Sequence, residues 1–201
     1  MRVLVHGDDV LVEGALRDRG LEPVRDEPAD SLVTMAPQPR LRPLAEISAE
    51  EWKARFDSCV AEAFWIFQAW MRDVLARGAT GRWVAISVGL GSQPFPGGGA
   101  DGSFAVAVQT LVRIAAIEYG QRGIRANAIA PGWREQTLPD ELDGRLAVAD
   151  TPTGRLVSAR DIAATVAWML SPEAEQLNGE VVHVDGGYTI TRGSRPDPYR
   201  R

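Results

Sequence analysis

Cysteine and histidine are scarce in this sequence, which limits the sites it can build. Cys59 is the only cysteine, and His6 and His183 are the only histidines. A single thiol cannot form an internal disulfide, and one thiol with two distant histidines does not make a multi-cysteine metal site. We therefore predict no metal centre. The low cysteine content also fits a reducing compartment, so the expected location is cytoplasmic.

Positive charge is not in excess either. The formal net charge is -5 and the pI about 5.1, with acidic and basic residues interspersed. No basic face is therefore expected to meet phosphate backbones or anionic lipids. The sequence opens without a charged and apolar leader, and we expect no apolar run near the roughly 18 residues that a membrane span needs. These absences exclude nucleic acid and membrane as expected partners.

The sequence does contain enough apolar residues for one core. Its 201 residues are 45% hydrophobic, which suits a single domain, predicted over residues 1–190, with a polar tail at 191–201. Predicted strands are "MRVLVHG", "LEPV", "SLVTMAP", "GRWVAISVG", "IRANAIAPG" and "GEVVHVDGGYTI"; predicted helices are Val10–Arg19, Glu50–Arg77, Phe104–Tyr119 and "SARDIAATVAWMLS", with residues 133–157 irregular. This alternation predicts an α/β fold, a Rossmann-like doubly wound parallel sheet.

Four stretches carry a more specific pattern: "ISAEEW", "GRWVAISV", "EYGQRGIRANAIAPG" and "GEVVHVDGG". At these separations they resemble the short-chain dehydrogenase/reductase family, over roughly residues 44–188. The resemblance implies a nicotinamide cofactor and a Ser-Tyr-Lys active site. Only a few residues separate "LEPV" from "SLVTMAP", so the third strand of the family's sheet and its flanking helix are expected to be deleted.

The family's mechanism needs a tyrosine that passes a proton, and a lysine four residues later on the same helix face. That lysine lowers the tyrosine's pKa and holds the nicotinamide ribose. Counted back from Glu118 in the matched helix, the tyrosine position is Asp101 and the lysine position is Ala105. Asp101 is an acid of different size and charge, and Ala105 carries no cation. We expect Asp101 to be solvated in a glycine-rich loop.

The two other positions of the family's catalytic tetrad are also changed. The serine position is Val88, next to Ser87, whose side chain is expected on the opposite face of the strand. The asparagine position is Cys59, which is most simply a small buried apolar residue. The degenerate tetrad is therefore Cys59, Val88, Asp101 and Ala105, and no catalytic residue is predicted.

The glycine-rich turn that holds a dinucleotide's diphosphate is reduced as well. In dinucleotide-binding folds this turn lies between the first strand and the first helix, so that backbone N–H groups meet the phosphates. Here it retains Gly7 but carries Asp8 and Asp9 where the phosphates would lie. Because two carboxylates would repel a diphosphate, we predict no cofactor-binding residue and no cofactor. NAD(P) is expected only if this repulsion argument fails.

The main functional hypothesis is a pseudoenzyme, a structural or regulatory subunit without catalysis. The resemblance implies that the helices Glu50–Arg77 and Phe104–Tyr119 form the two-fold interfaces of the family's dimers and tetramers. We therefore expect assembly with an active short-chain dehydrogenase/reductase paralogue in a heterodimer or heterotetramer, or a homo-oligomer. The apolar helix "EAFWIFQAWM" supports a covered surface of this kind.

Two alternatives use the old substrate cleft instead. One is an enzyme in a remodelled cleft, either an atypical oxidoreductase or a nicotinamide-independent isomerase or dehydratase. In the latter, Asp101 with Ser87, Ser92 or a water would transfer a proton. The other alternative is a small-ligand binding module.

Overall fold

The computed structural model describes residues 1–134, 136, 138 and 142–191, and its centre is a parallel β-sheet. The described strands are β1 Arg2–His6, β2 Glu22–Val24, β3 Ser31–Met35, β4 Gly81–Ile86, β5 Ile124–Pro131 and β6 Val181–Val184. They lie in the order β2-β1-β3-β4-β5-β6, and each neighbouring pair is parallel. The order reverses at β1 and β3, which creates the crevice where doubly wound sheets bind their ligands.

Helices cover both faces of this sheet. They are α1 Val10–Arg17, α2 Ala49–Phe56, α3 Glu62–Ala76, α4 Gly99–Tyr119, α5 Gly144–Ala149, α6 Ala159–Met169 and α7 Tyr188–Thr191. One face packs against α1 and α6, and the other against α3 and α4. A π-helical turn, Asp57–Ala61, joins α2 to α3, so the predicted long helix contains a bulge at its first third.

The central strands are buried on both sides, as a parallel sheet between helices requires. Successive side chains point to opposite faces, so Trp83 packs with α3 and α4 while Val84 packs with α1 and α6. The Trp83 ring stacks on Phe67 with 4.2 Å between centroids, and its Nε1 donates to Thr34 Oγ1 at 3.0 Å. The indole is therefore buried without an unpaired polar atom.

The predicted fold class is confirmed, and so is the shortened sheet. β2 lies at the sheet edge, and only residues 25–30 connect it to β3. A further parallel strand with its crossover needs a dozen or more residues. The connection is too short to contain one.

Several predicted boundaries are wrong. Helix α4 begins at Gly99 and not at Phe104, because the small residues before Phe104 pack closely on the turn after β4: a Cβ on Gly102 would lie 3.0 Å from the Leu90 carbonyl oxygen. Helix α5 lies within the stretch predicted to be irregular. The last strand ends at Val184, since Gly186 and Gly187 take positive φ and turn the chain into α7. Of the predicted tail, all but Thr191 lies outside the described residues.

The expectation of no long apolar run is also corrected. Residues 99–122 form a segment long and apolar enough, by length and composition, to cross a membrane. In the structure α4 packs along β5 and buries Phe104, Val108 and Val112 in the core. Packing against the sheet accounts for its apolar composition, because the central helix of an α/β fold must be buried.

Candidate functional site

A cavity of about 350 Å³ opens at the carboxyl ends of β1, β3, β4 and β5. We call it the cleft. Its walls come from residues that follow these strands, among them Gly7, Ala36, Val88 and Trp133, and Tyr188 of α7 closes one side. Loops at the carboxyl ends of parallel strands form the binding crevice in doubly wound folds, so the cleft is the candidate functional site.

Two glycines let the loops around the cleft approach each other. Gly7 has φ +115°, and a Cβ there would lie 2.8 Å from both the Cβ and the carbonyl oxygen of Met35. A Cβ on Gly132 would lie 2.9 Å from the Cα of Asp185. A side chain at either position would force strand ends apart, so the shape of the cleft depends on both glycines.

An ion pair crosses one end of the cleft. Asp9 is the N-cap of α1, and its Oδ1 accepts from the Val12 N–H at 3.0 Å. Its Oδ2 accepts from Arg134 Nη1 at 2.6 Å. The Arg134 side chain is only 9% exposed. The charge of Asp9 is therefore offset by a buried guanidinium that comes from the loop after β5.

Several polar atoms around the cleft are buried but have no hydrogen-bond partner within the described part of the chain. They are Arg134 Nε and Nη2, Trp133 Nε1 and Gln93 Oε1. All three residues line the cleft. Buried polar groups are nearly always paired in folded proteins, so three unsatisfied side chains around one cavity call for a specific explanation.

The four positions of the degenerate tetrad lie together. Cys59, Val88, Asp101 and Ala105 all line a second, small cavity of about 20 Å³ next to the cleft. These positions come from three segments of the chain: the π-helical turn, the turn after β4 and helix α4. None of the four supplies the hydroxyl or ammonium group that the family's proton relay requires.

Asp101 is not solvated, so that prediction is wrong. It lies in the first turn of α4 and is 2% exposed. Its Oδ1 accepts from Arg55 Nε at 2.7 Å, and its Oδ2 accepts from the Arg40 backbone N–H at 2.6 Å. Asp101 therefore ties α4 to the helix α2 and to the loop before it.

Cys59 lies in the π-helical turn beside Asp101, with Sγ 3.9 Å from Oδ1. Burial raises the pKa of the Cys59 thiol to about 11; the nearby Arg55 partly opposes this, while Asp101 adds to it. The thiol is therefore uncharged at neutral pH and is a poor nucleophile.

Ser87 does not replace the missing serine. Its Oγ donates to the Ile129 carbonyl at 3.1 Å and accepts from Gln109 Nε2 at 3.2 Å. Both Ser87 and Asp101 are thus engaged inside the fold, which disfavours Ser87 as the partner of Asp101 in the proton transfer of a nicotinamide-independent enzyme.

The lysine role is not filled from elsewhere. Lys53 is the only lysine in the sequence. It is 76% exposed on α2 and pairs with Asp57 four residues later. An exposed ammonium held on the outer surface does not reach the cleft.

Sequence reasoning missed the arginines that organise both cavities. Arg134 directly follows the "PGW" that ends β5, and Arg55 lies on the charged face of α2. Each pairs with a carboxylate far away in sequence, at separations of 125 and 46 residues. For Arg134 the available signal was a charged side chain directly after an apolar matched motif; Arg55 gave no such signal, because it lies among other charged residues.

The strand order, the crevice at its reversal and the glycine at the end of β1 define a doubly wound α/β protein of the dinucleotide-binding class. Comparison with known proteins narrows the class. The family described as enoyl-(acyl carrier protein) reductase matches residues 29–189. The 3-oxoacyl-[acyl-carrier-protein] reductase FabG of Escherichia coli K12 is 33% identical over 175 residues, which cover 83% of this chain and 70% of that protein. The chain belongs to the short-chain dehydrogenase/reductase family.

Solved structures share the fold. 4-Hydroxyisoleucine dehydrogenase complexed with NADH matches with a TM-score of 0.84 at 16% identity, over 94% of this chain and 98% of the other. Actinorhodin polyketide ketoreductase with NADPH matches with a TM-score of 0.77 at 22% identity, over 94% and 87%.

These comparisons overturn the prediction of no cofactor. Structures of the same fold hold NADH and NADPH, and that finding points to a dinucleotide for this family's cleft. Asp9 is not the free negative charge that the predicted repulsion of a diphosphate requires. In the structure Arg134 offsets that charge and still has unused N–H donors, while Asp8 is exposed.

Proposed function

We propose that this chain is a non-catalytic subunit of the short-chain dehydrogenase/reductase family that binds a nicotinamide dinucleotide and assembles with an active paralogue. The observation that carries the non-catalytic part is the pairing of Asp101. A carboxylate bonded to Arg55 and to the Arg40 amide stands where the proton donor belongs, and Ala105 stands where the cation belongs. The cleft thus has a place for a cofactor without a relay beside it.

The residues around the cleft fit a dinucleotide. Gly7 lets the turn after β1 lie close to Met35, and both residues line the cleft. Apolar side chains, including Val12 and Ile86, line the cleft, and Arg134 provides a cation next to the N-terminus of α1. A bound nicotinamide would supply hydride chemistry. The chain's own part would be to hold and orient the dinucleotide and to exclude water.

Exposed apolar side chains support the assembly. Six large ones lie on α2, α3 and α4: Trp52, Phe56, Trp65, Val106, Ile114 and Ile117. Trp65 is 60% exposed and Ile117 82%. α4 contacts both α2 and α3, and apolar surface exposed on neighbouring elements is typical of an interface with another chain. We name these six residues the apolar face.

The catalytic half of the proposal is tested by turnover. Wild type, with NADPH and a 3-oxoacyl thioester, is expected to give no NADPH oxidation above a no-protein control. The combined variant Cys59→Asn, Val88→Ser, Asp101→Tyr, Ala105→Lys rebuilds the four family side chains and serves as the comparison. Substrate-dependent NADPH oxidation by wild type that Asp101→Asn abolishes would disprove the proposal.

The assembly half is tested by charge on the apolar face. Ile117→Glu is expected to abolish association with a co-expressed active family member, measured by sedimentation velocity, without changing the thermal unfolding temperature. Ile190→Glu is the matched control, because Ile190 is 80% exposed but lies on α7 and not on the helices of the apolar face. If wild type sediments as a monomer both alone and with every co-expressed active family member, the assembly part of the proposal is wrong.

A further inference from the structure

Arg134 is held in place by backbone on both sides. It forms a parallel bridge with Val157, and the Val157 N–H donates to the Trp133 carbonyl at 2.9 Å. Trp133 is itself buried, edge-on to Phe95 and Tyr188. The guanidinium is therefore presented to the cleft from a fixed backbone rather than from a free loop end.

The guanidinium of Arg134 uses only part of its hydrogen-bond donor capacity. It has five N–H donors, of which Nη1 meets Asp9, while Nε and Nη2 meet no acceptor among the residues that the structure describes. A buried cation with unsatisfied donors is costly to maintain. Nε and Nη2 form the planar pair of donors that binds phosphate or carboxylate with two parallel hydrogen bonds.

Asp9 can share Arg134 without losing its own structural role. Its Oδ1 caps α1 through Val12, and only Oδ2 contacts the guanidinium. The N-cap bond would therefore survive if Arg134 turned toward another anion. Asp9 is therefore suited to balance the charge of Arg134 when no ligand anion is bound.

Two neighbouring groups extend this arrangement. Trp133 Nε1 is a further buried donor, and Gln93 Oε1 is a buried acceptor, both without partners in the described ranges. The lining of the same cleft also includes apolar side chains, among them Val12, Ile86 and Val88. The unmet groups thus match a ligand with an oxyanion, an apolar body and one hydrogen-bond donor.

We propose that Arg134 is an oxyanion receptor in the cleft, with Asp9 as its resting counter-ion and a ligand phosphate or carboxylate as its functional partner. The proposal deepens the dinucleotide part of the proposed function and rests on the same cleft. The shared chemistry is a bidentate oxyanion, and it has two sources: the diphosphate of a dinucleotide, or the carboxylate of an apolar acid.

The test is calorimetric titration of wild type with NADH, inorganic pyrophosphate and octanoate, with adenosine as an uncharged probe. Arg134→Gln is expected to weaken binding of the oxyanion probes at least tenfold, and Arg134→Lys, which keeps the charge but not the planar pair of donors, by several fold. Asp9→Asn removes the competing carboxylate but keeps a good N-cap. It is expected to tighten oxyanion binding several fold. Arg77→Gln, at an exposed ion pair at the far end of α3, is the matched control and should change nothing.

The outcomes separate this proposal from the proposed function. NADH binding that is equal in wild type and Arg134→Gln overturns the receptor and leaves the dinucleotide proposal standing. Pyrophosphate or octanoate binding that depends on Arg134, without NADH binding, supports the receptor and overturns the dinucleotide proposal. Binding of no oxyanion probe to wild type overturns both. If Arg134→Gln does not fold, the other two variants decide the question: Arg134→Lys is expected to weaken oxyanion binding and Asp9→Asn to tighten it. Oxyanion affinities equal to that of wild type in both variants overturn the receptor.

Discussion

The two neighbouring cavities differ in how their polar side chains are used. Around the small cavity, the polar groups of Asp101, Ser87 and Cys59 all have partners inside the fold. Around the cleft, Arg134 and Trp133 carry buried donors that have none in the described chain. Under the proposed function this difference corresponds to binding without catalysis: the side chains at the family's catalytic positions are bonded within the fold, whereas the cleft has unmet hydrogen-bonding capacity.

The strongest way to break this comparison is to remove Asp101. Asp101→Ala leaves the guanidinium of Arg55, only 13% exposed, without its carboxylate. Breaking one side of a buried ion pair costs about 3 kcal/mol or more, so the free energy of unfolding in urea should fall by about that amount. Asp73→Ala, which removes one exposed partner of Arg77, is the control and should cost under about 0.5 kcal/mol. A similarly small loss for Asp101→Ala would mean that Asp101 is not structural.

The rim of the cleft offers a second test, with a defined pH dependence. Burial alone would raise the pKa of Asp185, but hydrogen bonds from Thr189 and Gly187 outweigh it and hold that pKa below its usual value. Because the folded pKa is the lower one, the stabilisation is present above about pH 4 and is lost as the pH falls through the folded pKa.

Asp185→Asn should therefore lower the free energy of unfolding by about 1 to 2 kcal/mol at pH 7. The gap between wild type and variant should narrow below pH 4. Urea titrations at a series of pH values measure both. A gap that widened on acidification would contradict the assigned direction.

Ser87→Ala sharpens the comparison from the other side. It leaves Gln109 Nε2 without its acceptor, so stability should fall by about 1 kcal/mol. Ser87 lines both cavities, but NADH affinity should change less than twofold, because the Ser87 hydroxyl is bonded to the Ile129 carbonyl and to Gln109. Ser103→Ala, an exposed serine on the same helix as Gln109, is the control for stability. Loss of affinity at unchanged stability would place Ser87 in the binding site.

The smallest expected effect is at Cys59. With a pKa of about 11, about one thiol in a thousand is ionised at pH 8. Iodoacetamide should leave the folded protein unmodified and alkylate it fully in urea, as read by mass spectrometry. Rapid alkylation of the folded chain would show a reactive thiol and reopen a catalytic role for this region.

Local patterns predicted the parts of the fold that depend on local physics. Apolar runs predicted β1, β3, β4 and β5. The short interval before "SLVTMAP" predicted that the next strand of the family's sheet is deleted. The start of α4 was not predicted, because four glycines within residues 97–102 are typical of a loop. In the structure the helix begins at Gly99, where the small residues pack on the turn at Leu90.

The site was predictable only where a motif set the register. The matched helix assigned Asp101 and Ala105 to two neighbouring positions of the family's site, and the structure brings both to one cavity. The charged partners of Asp9 and Asp101 were not predictable, because Arg134 and Arg55 act across long sequence separations. Without Arg134, Asp9 was predicted to repel a diphosphate, although its charge is offset in the structure. Without Arg55, Asp101 was predicted to be solvated, although it is buried.

The short connection after β2 has a further effect, on self-association through the sheet. Without a following strand, β2 is left as the margin of the sheet. The Glu22 N–H faces inward, donating to the Met1 carbonyl at 2.9 Å, so the alternation of a strand turns the nitrogen of Pro23 outward. Proline has no N–H there, and a second molecule cannot complete a ladder along that margin. Pro23 thus disfavours edge-to-edge pairing of two molecules at the sheet margin that the short connection leaves exposed.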